Sequence, residues 1–201
     1  MSTFQFALPF RPGSGEGPAR IVIGDANASV AEAMHKTEDW PFHTAILTGP
    51  RRSGKSLFAR WFVESGRGEA IDDAPLMDED ALFHRWNRAQ EMKRPLLLVA
   101  GPAPWTIGLP DLKSRLGAAM QLEILPPDDN MAAELLLSLA RERSLPLGPD
   151  AAAYLVPRAL RGYEELAGLV AAIDRISLER KTPPKLAIWR AAVEEQKSKM
   201  G

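Results

Sequence analysis

The stretch Gly49-Pro50-Arg51-Arg52-Ser53-Gly54-Lys55-Ser56 constrains the fold of this chain more than any other. It fits G-x-x-x-x-G-K-[ST], a loop that wraps phosphate groups between a strand and a helix. The glycines let the backbone bend sharply and approach an anion closely. The N–H groups of Arg52 to Lys55 are then expected to form a nest for a β-phosphate. Lys55 supplies a mobile positive charge, the Ser56 hydroxyl suits Mg²⁺, and the helix that starts there puts its positive end at the same place. The context agrees. Thr44-Ala45-Ile46-Leu47-Thr48 reads as a short buried strand, and Leu57, Phe58, Trp61 and Phe62 mark one face of a helix. The expected nucleotide site is Gly49, Pro50, Arg51, Arg52, Ser53, Gly54, Lys55, Ser56 and Leu57.

With 201 residues the chain can bury one good core, or a large and a small one. A formal net charge of −1 supplies no global basic field for nucleic acid. The absence of cysteine removes disulfides and thiolate metal sites. His35, His43 and His84 lack ligand spacing, so Mg²⁺ is the one metal expected. No apolar run reaches membrane length and no secretory leader pattern opens the chain, so a cytoplasmic protein is expected.

In chain order, Met1 to Arg20 has no helical period and is rich in Gly and Pro after residue 10, which reads as a tail with a linker. Its apolar tip (Phe6, Leu8, Phe10) packs either on its own domain or in a partner's pocket. A helix follows from about Asn27 to Lys36. After the loop helix, Glu69-Ala70-Ile71 is a thin strand signal before Asp72 and Asp73. Those two acids read either as a metal-side pair, Asp72 on Mg²⁺ and Asp73 orienting water, or as a solvated acidic turn. Asp80 to Met92 reads as a helix with Leu82, Phe83, Trp86 and Ala89 inward. Pro95 to Gly101 reads as a strand buried on both faces. Gly108 to Gly117 is a short helix, and Gln121 to Leu125 a further strand. Only helices follow: Asp128 to Arg143, one from Pro149 disturbed at Pro157, Tyr163 to Arg180, and Pro184 to Lys199. The expected fold class is α/β, a parallel sheet of the P-loop NTPase kind with a C-terminal α-helical lid. Expected boundaries are 1–20 for the tail, 21–126 for the nucleotide-binding domain and 127–201 for the lid.

The phosphate loop, acid pair, buried strand, Gly108-Leu109-Pro110-Asp111-Leu112-Lys113-Ser114-Arg115-Leu116 and helical lid stand in that order. In this the chain resembles the AAA+ ATPases, most nearly their DnaA-related branch. The resemblance puts that branch's arginine finger on Arg115, where a guanidinium could stabilise charge on a neighbour's γ-phosphate; the plain alternative is a surface arginine in a salt bridge. It also likens Gln5-Phe6-Ala7-Leu8-Pro9-Phe10 to the Q-x-x-L-P-[LF] peptide that holds the sliding clamp of DNA polymerase III, through Gln5, Phe6, Leu8, Pro9 and Phe10. The sequence ends after the lid, without a helix-turn-helix for sequence-specific DNA binding, so a regulator of replication initiation is expected rather than an initiator.

Three departures from the branch shape what is expected. Too few residues separate the loop helix from Asp72 for the usual extra strand and helix. In the AAA+ strand order 5-1-4-3-2 the missing strand is an edge, so about four core strands are expected. Pro102 follows the buried strand where a polar sensor is usual. Glu164 falls where a nucleotide-sensing arginine normally sits, with Arg161 as a substitute. An acid there repels γ-phosphate, so bound ADP or ATP with weak intrinsic hydrolysis is expected. The resemblance implies DnaA and the clamp as partners, no membrane, and compatibility with a homodimer. The rival readings are a stand-alone P-loop ATPase or phosphotransferase using Lys55, Ser56, Asp72 and Asp73, and a non-catalytic adaptor.

Overall fold

Thr44–Thr48 (β1) is rich in β-branched and aliphatic residues and forms one of the sheet's two inner strands. The computed structural model describes residues 21–102 and 104–198. Within them β1 pairs in parallel with Leu96–Val99 (β3) on one side and Met120–Glu123 (β4) on the other. Glu69–Ile71 (β2) borders β3, giving the order β2-β3-β1-β4. Reversed, this is the AAA+ order without its terminal strand. The four parallel strands expected from the short connection before Asp72 are therefore present.

Ala28–His35 (α1) precedes β1. Parallel strands need crossovers, and helices supply them: Lys55–Glu64 (α2) after β1, Glu79–Glu91 (α3) after β2, and Pro110–Gly117 (α4) after β3. Side chains alternate across a strand. Ile46, Leu96 and Leu98 accordingly share a core with Leu82, Trp86 and Ala89 of α3 and with Leu112 and Leu116 of α4. Ala45, Leu47 and Leu97, next to them in sequence, are also fully or almost fully buried. So the middle of the sheet is covered on both faces, as its apolar sequence demands. Phe62 of α2 stacks on Trp40 with ring centroids 5.3 Å apart.

Among the described residues β2 is an edge with a single partner strand. Its Glu69 carboxylate pairs with Arg94 at 3.0 Å and Arg85 at 3.4 Å. Glu79, in the first turn of α3, accepts hydrogen bonds from the N–H groups of Gly108 (2.9 Å) and Leu109 (2.5 Å), which anchors the entry to α4.

By their internal contacts, residues 27–125 with Ile21 form one compact unit, and residues 22–26 with 126–198 form another. The second unit holds Asp129–Glu142 (α5), Pro149–Leu155 (α6), Tyr163–Glu179 (α7) and Leu186–Ser198 (α8). The Asp128 carboxylate caps α5 by accepting from Met131 N–H at 2.7 Å. α6 stops before Pro157, which has no N–H to continue it. Leu136, Leu155, Leu166, Val170, Ile173 and Ile188 build this unit's separate core. Among the described residues no helix is long and apolar enough to cross a membrane.

Candidate functional site

The phosphate loop leaves the C-terminal end of β1 between two hydrogen-bonded neighbours. Ala100 N–H donates to Leu47 O and Ile124 N–H donates to Thr48 O, so the ladder is closed on both sides where the chain turns away. Gly49 is required here. Its φ is +146°, and a Cβ on it would lie 2.8 Å from Ile124 O. Gly54, at φ +91°, occupies the N-cap of α2. Arg52 also takes a left-handed backbone, at φ 59°, which costs a non-glycine residue about 1 kcal/mol or more.

No side chain caps α2, although the first N–H groups of a helix have no acceptor within it. The Ser53 hydroxyl is buried and has no hydrogen-bond partner among the described residues. The Lys55 ammonium curls back over the loop and donates to Gly49 O at 2.9 Å and Pro50 O at 2.7 Å. Burial pushes its pKa down, and the charges of Asp72 and Asp73 push it back up. An uncapped helix start, an orphaned hydroxyl and a partly desolvated cation all favour an anion at this spot. The residues present therefore fit a nucleotide's phosphates.

Asp72 and Asp73 follow β2, two strand spacings from β1, or about 10 Å across the sheet. Both are exposed. Asp73 is left-handed at φ 50°, and its N–H donates to Asp72 Oδ1 at 3.1 Å. Mg²⁺ usually keeps several waters and takes one or two carboxylates besides phosphate oxygens. Ser56 and Asp72, the residues that would hold it, are both exposed.

Arg115 lies in the last turn of α4 and does not point freely into solvent. Its guanidinium carbon sits 4.6 Å from the ring centroids of both Phe83 and Trp86, and its Nη1 donates to Asn87 Oδ1. Each ring contributes about 0.5–1 kcal/mol and a hydrogen bond from a charged donor about 1.5–3 kcal/mol. That sum exceeds the roughly 2 kcal/mol of rotamer entropy lost by fixing an arginine, so the side chain has a defined seat. One side of the seat is open: Arg115 lines a cavity of about 850 Å³ with Phe42, His84, Asn87, Arg88 and Met92 among its walls.

The sequence pointed to Phe83 and Trp86 as inward residues of α3. The structure buries Trp86 and leaves Phe83 partly exposed beside Arg115. Asn87 gave no signal in the sequence. In the helical unit Glu164 is exposed in the first turn of α7, and Arg161 is paired with Asp129 at 3.1 Å. Gln5, Phe6, Leu8, Pro9 and Phe10 lie outside the described residues.

No family model matches the chain. Its fold is nevertheless that of known AAA+ structures. Domain III of the replication initiation protein DnaA from Thermotoga maritima superposes with a TM-score of 0.68 at 11% identity, over 87% of this chain and 94% of that one. The Holliday junction branch migration motor RuvB from the same organism gives 0.61 at 15% identity, over 86% and 69%. AMPPCP-bound DnaA from Aquifex aeolicus gives 0.60 at 16% identity, over 80% and 66%. The chain therefore has the AAA+ P-loop NTPase fold, a parallel four-stranded sheet with helices and a helical C-terminal part.

Proposed function

We propose that this chain is a nucleotide-binding regulator of replication initiation, most like Hda, the regulatory inactivator of DnaA. Docked on the sliding clamp through Gln5, Phe6, Leu8, Pro9 and Phe10, it presents Arg115 to ATP held by DnaA. Hydrolysis there converts the initiator to its ADP form. Its own phosphate loop, through residues 49–57, holds ADP or ATP with Mg²⁺ on Ser56 and Asp72, and turns it over weakly. AMPPCP in the similar DnaA from Aquifex aeolicus supports the nucleotide part of this reading.

One observation carries the finger assignment. The walls of the cavity at Arg115 come from the Phe42 turn, α3 and α4, and none from the phosphate loop. That placement away from the chain's own phosphate loop supports the reading of a guanidinium that serves a partner's phosphate. The deciding experiment measures DnaA's ATP hydrolysis with DNA-loaded clamp and this protein. Arg115→Ala should abolish the stimulation; unchanged stimulation would remove the finger reading and leave the adaptor reading.

A second reading, an ATPase in its own right with Asp73 orienting water, draws on the electrostatic coupling of Lys55 to Asp72 and Asp73. ATP turnover by the isolated chain, lost in Lys55→Ala, would raise it above the first.

A further inference from the structure

We infer that the turn between α7 and α8 is a landing site for the phosphate backbone of duplex DNA, drawn by charge and blind to sequence. The inference goes beyond the proposed function, since neither the finger nor the nucleotide loop requires it. The formal charge of −1 is unevenly spread. Residues 178–190 hold four cations, Arg180, Lys181, Lys185 and Arg190, against one carboxylate, Glu179. Glu179 is already paired with Arg175 at 2.9 Å. All four cations are exposed, and among the described residues none enters an ion pair. The turn is closed by its own hydrogen bonds. Lys181 N–H donates to Leu178 O at 3.1 Å and Thr182 N–H to Ser177 O at 3.0 Å, which ends α7 in a Schellman motif. Ser177 Oγ donates to Thr182 O at 2.6 Å and Trp189 Nε1 to Pro184 O at 2.6 Å. Arg180 suits the negative end of α7, but local preference opposes both lysines. Lys181 takes the left-handed place, at φ 48°, that glycine usually fills. Lys185 stands before the positive end of α8, whose first turn has no acidic residue to offset it. A polyanionic partner accounts for cations kept at such positions.

The chemistry favours DNA among polyanions. A duplex carries one phosphate charge about every 1.7 Å of its axis, so cations gathered on a short turn meet several at once. Lysine ammoniums are point charges on flexible stems and follow a phosphate row without reading bases. A lipid surface needs an apolar face to insert. Leu178 and Leu186 are exposed, but the apolar stripes of α7 and α8, with Leu169, Ile173 and Ile188, lie in the unit's core. A protein interface centres on aromatic anchors, and here the Trp189 indole is turned back onto Pro184.

The experiment titrates the full chain, without clamp or DnaA, into two fluorescent duplexes of unrelated sequence and follows anisotropy between about 50 and 200 mM salt. Both duplexes should bind alike, with log affinity falling against log salt at a slope of about −3 to −4. Lys181→Gly and Lys185→Gln should each lower that slope by about one and weaken binding about tenfold at the lowest salt. Lys181→Gly should melt no lower than the wild type, because glycine suits the left-handed backbone. Arg141→Gln, at an exposed arginine on α5 of the same unit, should leave both slope and affinity unchanged. No binding at the lowest salt overturns the proposal, as do lysine variants that bind like the wild type. An equal loss in Arg141→Gln also overturns it, because diffuse charge alone would then explain binding. Capture by vesicles containing phosphatidylglycerol, without binding to either duplex, would give the turn to a lipid surface and end the DNA reading. With clamp and DnaA absent, these outcomes stand apart from the Arg115→Ala assay.

Discussion

The phosphate loop and the Arg115 seat are built by opposite strategies. The loop is eight consecutive residues whose shape comes from the backbone: left-handed Gly54 and Arg52, a Gly49 that leaves no room for a Cβ, and a helix start without a cap. The seat joins α4 to α3 across 28 positions, and its shape comes from side chains. The first can be read from spacing alone, because the chemistry and the geometry are the same residues. The second depends on which helix face tertiary packing lays beside Arg115, and spacing does not encode that. The loop also holds its charge loosely, on two carbonyls that an anion can displace, whereas the seat holds its charge on rings.

Four measurements can break or sharpen this contrast. Trp86→Ala should have the largest effect, because it opens a cavity under the seat and in the sheet's core: a loss of about 3–5 kcal/mol in denaturant unfolding. A wild-type unfolding curve would mean that the seat is not part of the fold. Lys55→Ala should act the other way round, weakening a fluorescent nucleotide analogue by about 10- to 100-fold while thermal stability barely moves. If it unfolds the chain instead, the loop is structural and the contrast collapses.

Ser53→Ala should be milder. Its hydroxyl is buried and unpartnered among the described residues, so stability should stay level or rise by up to about 1 kcal/mol, while nucleotide affinity falls a few-fold. Equal affinity would show that the orphaned hydroxyl does not serve the ligand.

The last test lies in the helical unit and should be silent at neutral pH. Burial, with Asp128 next in weight, pushes the Tyr163 pKa up to about 12. Below pH about 10 the phenol is neutral both folded and unfolded. Between that and about 12 the unfolded chain gives up the proton first, so stability falls as pH rises. Tyr163→Phe should flatten that alkaline slope in thermal melts. An unchanged slope would assign the loss to other groups.

Most of the fold was legible in the sequence. The run Leu96-Leu97-Leu98-Val99 could only be a strand buried on both faces, and Asp128 marked its helix by capping chemistry. The absent edge strand was legible too, as a connection too short to hold one. β2 was nearly invisible because an edge of three residues needs few apolar side chains, and only Ala70 and Ile71 carried the signal. For the site, the loop was read residue by residue. The carboxylate of Glu79 bracing the entry to α4 was not, since its partners are backbone N–H groups distant in sequence. Nor was Asn87, whose amide acquires meaning only when α4 lies beside it.

The missing strand has a cost beyond size. A sheet border presents unsatisfied backbone donors and acceptors to any passing chain; among the described residues the two borders are β4 and β2, and β2 is the one next to the missing strand. Its brevity and the charges gathered there, Glu69 between Arg94 and Arg85, make it a poor template for adhesion. On that border, protection against fibre-like stacking falls to one carboxylate and two guanidiniums.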